Sequence, residues 1–319
     1  MSELRLVQGG AASEVDQMIQ VPAISVIIAC RNGAATLGET LEGLASQSWD
    51  RPWEIVLADN GSTDATRAVF ESFSAAHPGL AMRAVDASAE RGKPFALNIG
   101  IAAARAPAVA FCDADDVPGD GWLAAMGAAL ETQVMVATRV DYQRLNRGWV
   151  QDSRGTHQTR QLEELAFLPG HVHVGGGTMG FQRRLVQEIG GFDSAFVFAE
   201  DTEFSLRAQT AGHAIGFVPD AVMHVRARPE LKPIFRQSYN WARYEVKLAS
   251  RCRDRIDFAG GWREYVSTWR RLLRCHLRQG LRPRPETMLS AAWLRSGTGR
   301  LAGQFAGMLR YRLPPYRGM

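Results

Sequence analysis

Three short apolar runs in the first 112 residues of the chain each end in polar or acidic residues. The runs are Ile24–Cys30, Glu54–Ala58 and Ala108–Cys112. Apolar runs of this length, bounded by turn residues, are typical of buried β-strands. Between the first two runs, Thr36 and Glu39 have the spacing of a capping box, which predicts a helix that begins after Thr36. The alternation of strand and helix predicts an α/β sheet.

The polar residues that follow these strands are candidates for a common ligand site. In open α/β sheets, ligands bind outside the carboxyl ends of the strands, so we expect Arg31, Asp59 and the 113–115 stretch to meet. Asp113 and Asp115 offer the oxygen ligands that Mg²⁺ and Mn²⁺ share with a diphosphate. A solvated acidic turn is the alternative. No Gly-x-Gly-x-x-Gly or Walker-type loop follows the first strand, which disfavours a dinucleotide oxidoreductase and a P-loop ATPase.

A set of motifs along most of the chain resembles the GT-A glycosyltransferases of family 2, inverting enzymes that use nucleotide-sugar donors. The motifs lie at Ser25–Asn32, Asp59–Asp64, Gly92–Gly100, Asp113–Asp116, Gly190–Asp193, Glu200-Asp201 and Val218–His224. The resemblance implies an α/β fold of the GT-A type, in which a Rossmann-like, mixed central sheet is flanked by helices. Ala29-Cys30 departs from the family, which usually has Pro-Thr or Pro-Ala there.

The resemblance also implies a donor site. Its expected nucleotide-sugar contacts are Ala29, Arg31, Asp59, Lys93, Asp113, Ala114 and Asp115. Asp59 is expected to hydrogen-bond the base, Asp113 to lie against the ribose or the metal shell, and Asp115 to bind Mn²⁺ or Mg²⁺. His224 is a second candidate metal ligand, because imidazole binds first-row metals, and a packed core histidine is the alternative.

Asp201 is the expected general base, since the second acid of Glu-Asp has that role in the family. The segment before it is apolar and becomes helical at the acids, which predicts a carboxylate at a helix start on the edge of a pocket. A helix-start acid without a catalytic role is the alternative. A base at this position implies inversion at the anomeric carbon through an oxocarbenium-like transition state.

The acceptor side is less distinctive, and its predicted contacts are Thr178, Met179, Glu200 and Trp241. His171 and His173 have strand spacing and precede three glycines that permit close backbone approach. Zinc is disfavoured there, because no third ligand follows at a recognisable spacing. Trp241 ends a segment similar to the Gln-x-x-Arg-Trp motif of processive family members, with Asn240 in place of Arg. It could stack on a sugar or pack in a core.

Composition divides the chain into unequal parts. The 319 residues are 46% hydrophobic and 22% charged, as in ordinary globular proteins. Residues 226–319 contain 21 of the 37 Lys and Arg residues but only 6 of the 33 acids. We therefore expect an N-terminal extension at 1–21, a GT-A domain at 22–228 and a basic, helical C-terminal extension at 229–319.

Targeting features predict a cytoplasmic protein without a membrane span. The four cysteines lack Cys-x-x-Cys spacing, and we expect them to be reduced. The sequence shows neither a secretory signal nor a run of eighteen apolar residues. The basic extension, with interleaved tryptophans, predicts a peripheral contact with the anionic inner face of a membrane. Such a contact would bring a lipid-linked acceptor within reach, although the acceptor hydroxyl itself is left open. Pairing of its arginines with the acidic region, or an oligomer interface, is the alternative. Nucleic acid is a lesser one, since no binding motif accompanies the charge.

The expected function is metal-dependent, inverting transfer of one sugar from a nucleotide-diphosphate sugar to an acceptor hydroxyl. Synthesis of a polysaccharide, a glycolipid or a glycosylated metabolite would use such a step. A sugar nucleotidyltransferase is one alternative, although the first strand lacks a Gly-x-Gly-Thr-Arg type of signature. A non-catalytic polyanion-binding protein is the other, and the intact acidic set disfavours it.

Overall fold

The computed structural model describes residues 21–153, 157–227, 230–279 and 288–319. The predicted N-terminal extension therefore lies outside the described residues, except for Val21.

The described residues contain one large sheet and one hairpin. The strands are β1 Ile24–Cys30, β2 Trp53–Asp59, β3 Ala81–Asp86, β4 Ala108–Phe111, β5 Val117–Pro118, β6 Met135–Asp141, β7 Glu163–Leu165, β8 Leu168–His173, β9 Met179–Gln182 and β10 Ile215–His224. The large sheet has the order β3-β2-β1-β4-β9-β6-β10-β5, and β7 pairs with β8. Strands β1 to β4 run parallel, whereas β9 is antiparallel to both β4 and β6. The expected mixed sheet is confirmed.

Helices flank the sheet and continue past its last strand. They are α1 Leu37–Ala45, α2 Thr66–Ala76, α3 Lys93–Ala103, α4 Trp122–Thr132, α5 Trp149–Asp152, α6 Arg184–Ile189, α7 Glu200–Thr210, α8 Leu231–Arg251, α9 Gly261–Gln279 and α10 Met288–Tyr311. Helices α1, α2 and α3 each follow a parallel strand, so the carboxyl ends of β1, β2 and β3 open towards helix starts. None of the described helices has the length and apolarity that crossing a bilayer requires.

The central strands are apolar along their whole length because both of their faces are covered. In β1, Val26 and Ile28 pack in one core cluster, while Ile27 packs in a second cluster that also contains Phe111 and Phe181. Burial on both faces is what a continuous apolar run predicts for a parallel strand.

Thr36 precedes the first helix as predicted, but the predicted capping hydrogen bond is wrong. Helix α1 begins at Leu37 and has no side-chain cap. The Thr36 hydroxyl instead donates to the backbone carbonyl of Ala114 at 2.8 Å. The side chain therefore joins the start of α1 to the acidic loop after β4, because its bond to Ala114 orients the hydroxyl and no backbone N–H of the helix donates to it.

Helices α8 and α10 pack backbone to backbone through three glycines spaced four residues apart. In α10, a Cβ on Gly299 or Gly303 would meet the main chain of α8, and one on Gly307 would meet the side chain of Val246. Their nearest neighbours include the carbonyl oxygens of Phe235 and Tyr239. Close approach of this kind requires residues without side chains.

The C-terminal helices share a hydrophobic core with the region before them. That cluster joins Val246, Leu272 and Leu301 of the helices to Phe167 of the hairpin and Phe196 before α7. The predicted boundary at residue 228 falls between the last strand and α8, and the division of the chain at this point stays a prediction.

Arg251 of α8 holds the segment that leads into α7. Its guanidinium lies 2.8 Å from Asp193 Oδ2 and 3.4 Å from Glu203 Oε1, and 4.5 Å from the centre of the Phe196 ring. The extension thus fixes both ends of the segment that contains residues 199–201.

The glycine contact predicts a large and local mutational effect. We expect Gly303→Ala to lower the free energy of unfolding by about 1–3 kcal/mol, because the new methyl group would meet the Tyr239 carbonyl. Gly38→Ala in α1 is the matched control, since a Cβ there meets nothing within 4 Å, and helix propensity favours Ala by up to ~1 kcal/mol. Urea denaturation of both variants checks this; equal effects would contradict the packing described.

Candidate active site

Hydrogen bonds between the turns after β1 and β2 shape the first wall of the site. Asn32, in the left-handed region at φ 55°, accepts from the backbone N–H of Thr63 at 2.8 Å. Asp59 Oδ1 accepts from the backbone N–H of Ser62 at 2.9 Å. Asparagine tolerates this backbone conformation better than most residues do. Arg31 is exposed beside this wall, and Ala29 is half-buried at the end of β1.

Asn60 connects that wall to the start of α3, a role that sequence reasoning missed. Its buried side chain donates to the carbonyl oxygens of Ala87 and Glu90 at 2.5 and 2.7 Å. Its Oδ1 accepts from the backbone N–H of Gly92 at 2.9 Å. The three bonds fix the loop that delivers Lys93, the first residue of α3, to the carboxyl edge of the sheet.

Lys93 joins two predicted site segments. Its Nζ lies 2.6 and 2.9 Å from the two carboxylate oxygens of Asp113 and 3.9 Å from Glu200 Oε1. Burial disfavours the charge on Lys93, but the adjacent Asp113 carboxylate outweighs that effect and raises the pKa of Lys93. A permanent cation therefore lies between the end of β4 and the start of α7.

Asp201 lies on the other side of a glycine turn from Asp113. Its Oδ2 accepts from the backbone N–H of Gly176 at 2.9 Å, and its Oδ1 accepts from that of Thr202 at 2.7 Å. A Cβ on Gly177 would lie 2.7 Å from Asp113 Cγ, and one on Gly176 would lie 3.5 Å from Asp201 Oδ2. The close backbone approach predicted for these glycines brings the donor-side acid and the expected base to one site.

The acidic loop after β4 gathers three carboxylates. Asp113, Asp115 and Asp116 each place one oxygen within 4.8 Å of the others. Asp116 is buried, and its Oδ1 accepts from the backbone N–H of Arg226 at 2.9 Å. Burial, with repulsion from Asp113 and Asp115, raises the pKa of Asp116 well above its usual range. A divalent cation would relieve this repulsion, and hard oxygen ligands suit Mg²⁺ or Mn²⁺.

His224 lies at the end of β10, opposite Val117 of β5. Its Nδ1 is 2.6 Å from Asp141 Oδ2. Within the described residues, His224 is not among the groups that gather around the acidic loop. Its role as a metal ligand stays a prediction.

The side chains of the four predicted acceptor contacts differ in how far they are exposed to solvent. The Thr178 hydroxyl is engaged within the protein, accepting from Gln158 and donating to the Gly175 carbonyl, both at 2.8 Å. Met179 packs in the core and Glu200 is buried. Trp241 of α8 is 46% exposed. Trp241 therefore presents the largest surface of the four, and the acceptor roles stay predictions.

A second group of ligand atoms lies at the β7–β8 hairpin. Glu163 pairs with His173 across the hairpin, and His157 Nδ1 is 2.5 Å from Glu163 Oε2. The two imidazole rings stack at 4.6 Å, and burial followed by His157 lowers the pKa of His173. His171, the other half of the predicted histidine pair, instead lies 3.0 Å from Arg255. The fold therefore brings further potential ligands, Glu163 and His157, to His173, and the local sequence around His173 does not reveal them.

The buried carboxyl of Glu200 predicts a pH dependence of stability. Burial, followed by the charge of Asp201, raises its pKa to about 8. An unfolded glutamate has a pKa of about 4.3, so folding favours the protonated form. Its stabilising contribution is complete below about pH 4.3 and is lost as the pH rises through about 8, a loss of the order of a few kcal/mol.

We therefore expect Glu200→Gln to flatten the fall in unfolding free energy over that pH window. Urea denaturation in chelator at several pH values measures it. Glu42→Gln, which changes an exposed glutamate of α1, is the control and should retain the slope of the unaltered protein. An unchanged slope in Glu200→Gln would contradict the burial argument.

Comparisons with known proteins match this chain to glycosyltransferases. Residues 22–243 match the family described as Glycosyltransferase like family 2. Glycosyltransferase AglE of Haloferax volcanii is 27% identical over 213 residues, which cover 66% of this chain and 68% of AglE. The poly-beta-1,6-N-acetyl-D-glucosamine synthase of Staphylococcus epidermidis is 24% identical over 237 residues, covering 72% of this chain and 56% of the synthase. The match thus spans little more than half of that relative.

Solved structures show the same fold. The mannosyltransferase PcManGT from Pyrobaculum calidifontis, in complex with GDP-Man and Mn²⁺, has a TM-score of 0.57 at 21% identity and covers 92% of this chain and 75% of its own. S. aureus TarS 1-349, in complex with UDP-GlcNAc, has a TM-score of 0.51 at 16% identity, with coverages of 92% and 98%. The expected GT-A fold is confirmed. Since the family match covers most of the chain, the protein belongs to the glycosyltransferase-like family 2.

Proposed function

We propose that this protein is a metal-dependent, inverting glycosyltransferase that moves one sugar from a nucleotide-diphosphate sugar to an acceptor hydroxyl. The observation that carries the proposal is the junction of Asp113 and Asp201 through Lys93 and the Gly176 turn. Transfer needs neutralisation of a leaving diphosphate beside a base for the acceptor proton. Both kinds of group meet here.

The donor is proposed to be a nucleoside diphosphate sugar whose base and sugar are open. Proteins of similar fold are in complex with GDP-Man and with UDP-GlcNAc, which supports the donor class and leaves the base undecided. Asp59 is proposed to hydrogen-bond the base, and Arg31 and Lys93 to face the phosphates. The bond from the Ser62 N–H would hold Asp59 in place, and the three bonds of Asn60 would hold the loop before Lys93.

Asp115 is proposed as the ligand of Mn²⁺ or Mg²⁺, with Asp113 beside it and His224 as a further candidate. The crowding of three carboxylates, one of them buried, supports a divalent cation at this loop. When bound, the cation would offset negative charge on the leaving diphosphate. Lys93, whose charge is permanent, adds to that effect from the protein itself.

Asp201 is proposed as the general base. Its carboxylate accepts the proton of the acceptor hydroxyl as the hydroxyl oxygen forms a bond to the anomeric carbon. The bond from that carbon to the diphosphate oxygen breaks, and the diphosphate leaves with the electron pair. The N–H groups of Gly176 and Thr202 orient the carboxylate. Attack opposite the leaving group inverts the anomeric centre.

The acceptor is proposed to be lipid-linked and to receive a single sugar. The basic C-terminal extension supports work at an anionic membrane surface. Asn240 replaces the arginine of the motif found in processive family members, which supports one transfer for each encounter. A ladder of long products from one encounter would contradict this part of the proposal.

A donor screen tests the central proposal. Nucleoside diphosphates with and without Mn²⁺ are compared in thermal unfolding, since a ligand at a hundred times its Kd stabilises a protein by about 2.7 kcal/mol. The corresponding nucleotide sugar should then release free nucleoside diphosphate in the presence of the acceptor. Release of pyrophosphate from a nucleoside triphosphate and a sugar phosphate would instead identify a nucleotidyltransferase.

A further inference from the structure

Helix α9 carries a row of exposed apolar side chains beside its buried face. Tyr265 and Leu272 face the protein, and the Tyr265 hydroxyl donates to the Leu301 carbonyl of α10 at 3.0 Å. The exposed apolar residues are Trp262, Val266, Trp269, Leu273 and Leu277. At 3.6 residues per turn these five positions lie within an arc of about 80°, so they form one continuous stripe, here called the α9 stripe.

The α9 stripe is exposed where packing would normally hide it. Trp262 is 61%, Leu273 60% and Leu277 77% exposed. Helix α10 separately exposes Phe305 and Leu309, one and two turns beyond Leu301. A contiguous apolar patch on a soluble surface marks an interaction site, whereas single exposed apolar residues do not.

Arginines border the α9 stripe on its solvent side. Arg263, Arg270 and Arg274 fall within about 40° of one another on the helix, next to the stripe, and Arg271 lies further round. All four are exposed, and within the described ranges none of them forms an ion pair with an acidic side chain. An apolar stripe with an adjoining basic row is the pattern of a helix that lies in a membrane interface.

Elsewhere in the extension, basic side chains are used inside the protein. Arg251 pairs with Asp193 and Glu203, and Arg300 lies 3.0 Å from a carboxylate oxygen of Glu245. The excess positive charge of residues 226–319 therefore has two uses. Pairing with acids accounts for part of it, and the arginines of α9 remain available to an outside anion.

We propose that the α9 stripe and its arginine row dock on an anionic lipid bilayer, with the tryptophans and leucines in the interface and the guanidinium groups at the phosphates. Charge complementarity favours a bilayer over a second copy of the chain. A second α9 stripe is bordered by arginines and offers no acidic side chain to pair with this row, whereas an anionic surface engages the stripe and the row together. Tryptophan is suited to the boundary between head groups and acyl chains.

This inference deepens the proposed function by naming the surface on which a lipid-linked acceptor would be met. Its test is vesicle binding, which needs neither donor nor turnover. A protein that binds vesicles but transfers no sugar would contradict the proposed reaction alone, and one that transfers sugar but binds no vesicles would contradict the docking alone.

The experiment is co-sedimentation of the full chain with vesicles. We expect binding at low salt to vesicles of equal parts phosphatidylglycerol and phosphatidylcholine, no binding to pure phosphatidylcholine, and release at high salt. Arg270→Gln/Arg274→Gln should weaken partitioning about 30-fold, at about fivefold for each arginine. Leu273→Ser/Leu277→Ser should weaken it at least about tenfold.

The matched control is Arg144→Gln/Arg184→Gln, which removes the same charge from exposed positions of the α/β region and should leave partitioning within about twofold. Thermal unfolding of every variant confirms that it is folded. Absence of pelleting at low salt, or equal loss in the control, overturns the proposal. So does sedimentation velocity without lipid, if the unaltered chain is a dimer and Leu273→Ser/Leu277→Ser a monomer.

Discussion

Asp201→Asn should lower turnover by about 10²–10⁴ while changing donor affinity by no more than a few fold. The substitution is nearly isosteric, so the amide oxygen can still accept from the Gly176 N–H that holds the carboxylate. What it removes is the capacity to take a proton. The measurement is steady-state release of nucleoside diphosphate, with the donor Kd determined separately by calorimetry.

Asp120→Asn is the control for this substitution, because Asp120 is an exposed acid just before α4. It should turn over at the rate of the unaltered protein. A rate for Asp201→Asn within tenfold of that control would remove Asp201 from the role of base, and the carboxylate would then be a helix-start acid only.

Asp115→Ala should abolish metal-dependent turnover and weaken binding of a nucleoside diphosphate far more than binding of the nucleoside. Asp115 is the exposed member of the acidic loop, so its loss should leave the fold intact. Asp116 is unsuitable for this purpose, since it is buried and accepts from the Arg226 backbone. Calorimetry with nucleoside and nucleoside diphosphate, with and without Mn²⁺, separates the phosphate contribution from that of the base.

Asp120→Ala serves as the control here and should bind both ligands normally. Full turnover of the unaltered protein in excess chelator would rule out the metal. Equal weakening of nucleoside and nucleoside diphosphate binding by Asp115→Ala would place Asp115 away from the diphosphate.

The parts of this structure that depend on local sequence were predictable. The Ile24–Cys30 run becomes a strand with those bounds, and Asp201 lies in the first turn of a helix as its segment indicates. Both results follow from patterns within a few residues. A continuous apolar run indicates a buried strand, and a cluster of acids indicates the start of a helix. The acidic loop after β4 likewise emerges where the apolar run ends.

Features that depend on distant parts of the chain were not predictable. Glu163 reaches His173 only through the register of a hairpin, and His157 joins them from a separate loop. Thr36 prefers the Ala114 carbonyl to its own helix, which no local pattern reveals. The four-residue spacing of Gly299, Gly303 and Gly307 is visible in the sequence. Only the folded structure shows that these glycines approach α8.

The ion pairs of Arg251 with Asp193 and Glu203 limit what a truncated form of this enzyme can reveal. A chain shortened after the last strand, the usual way to ask what a tail contributes, would also release the stretch that contains Asp201, the proposed base. Slow turnover by such a fragment would not distinguish loss of the extension's own role from displacement of Asp201. Single substitutions on the outer side of α9 leave Arg251 in place. They can therefore separate an effect on membrane binding from an effect on turnover.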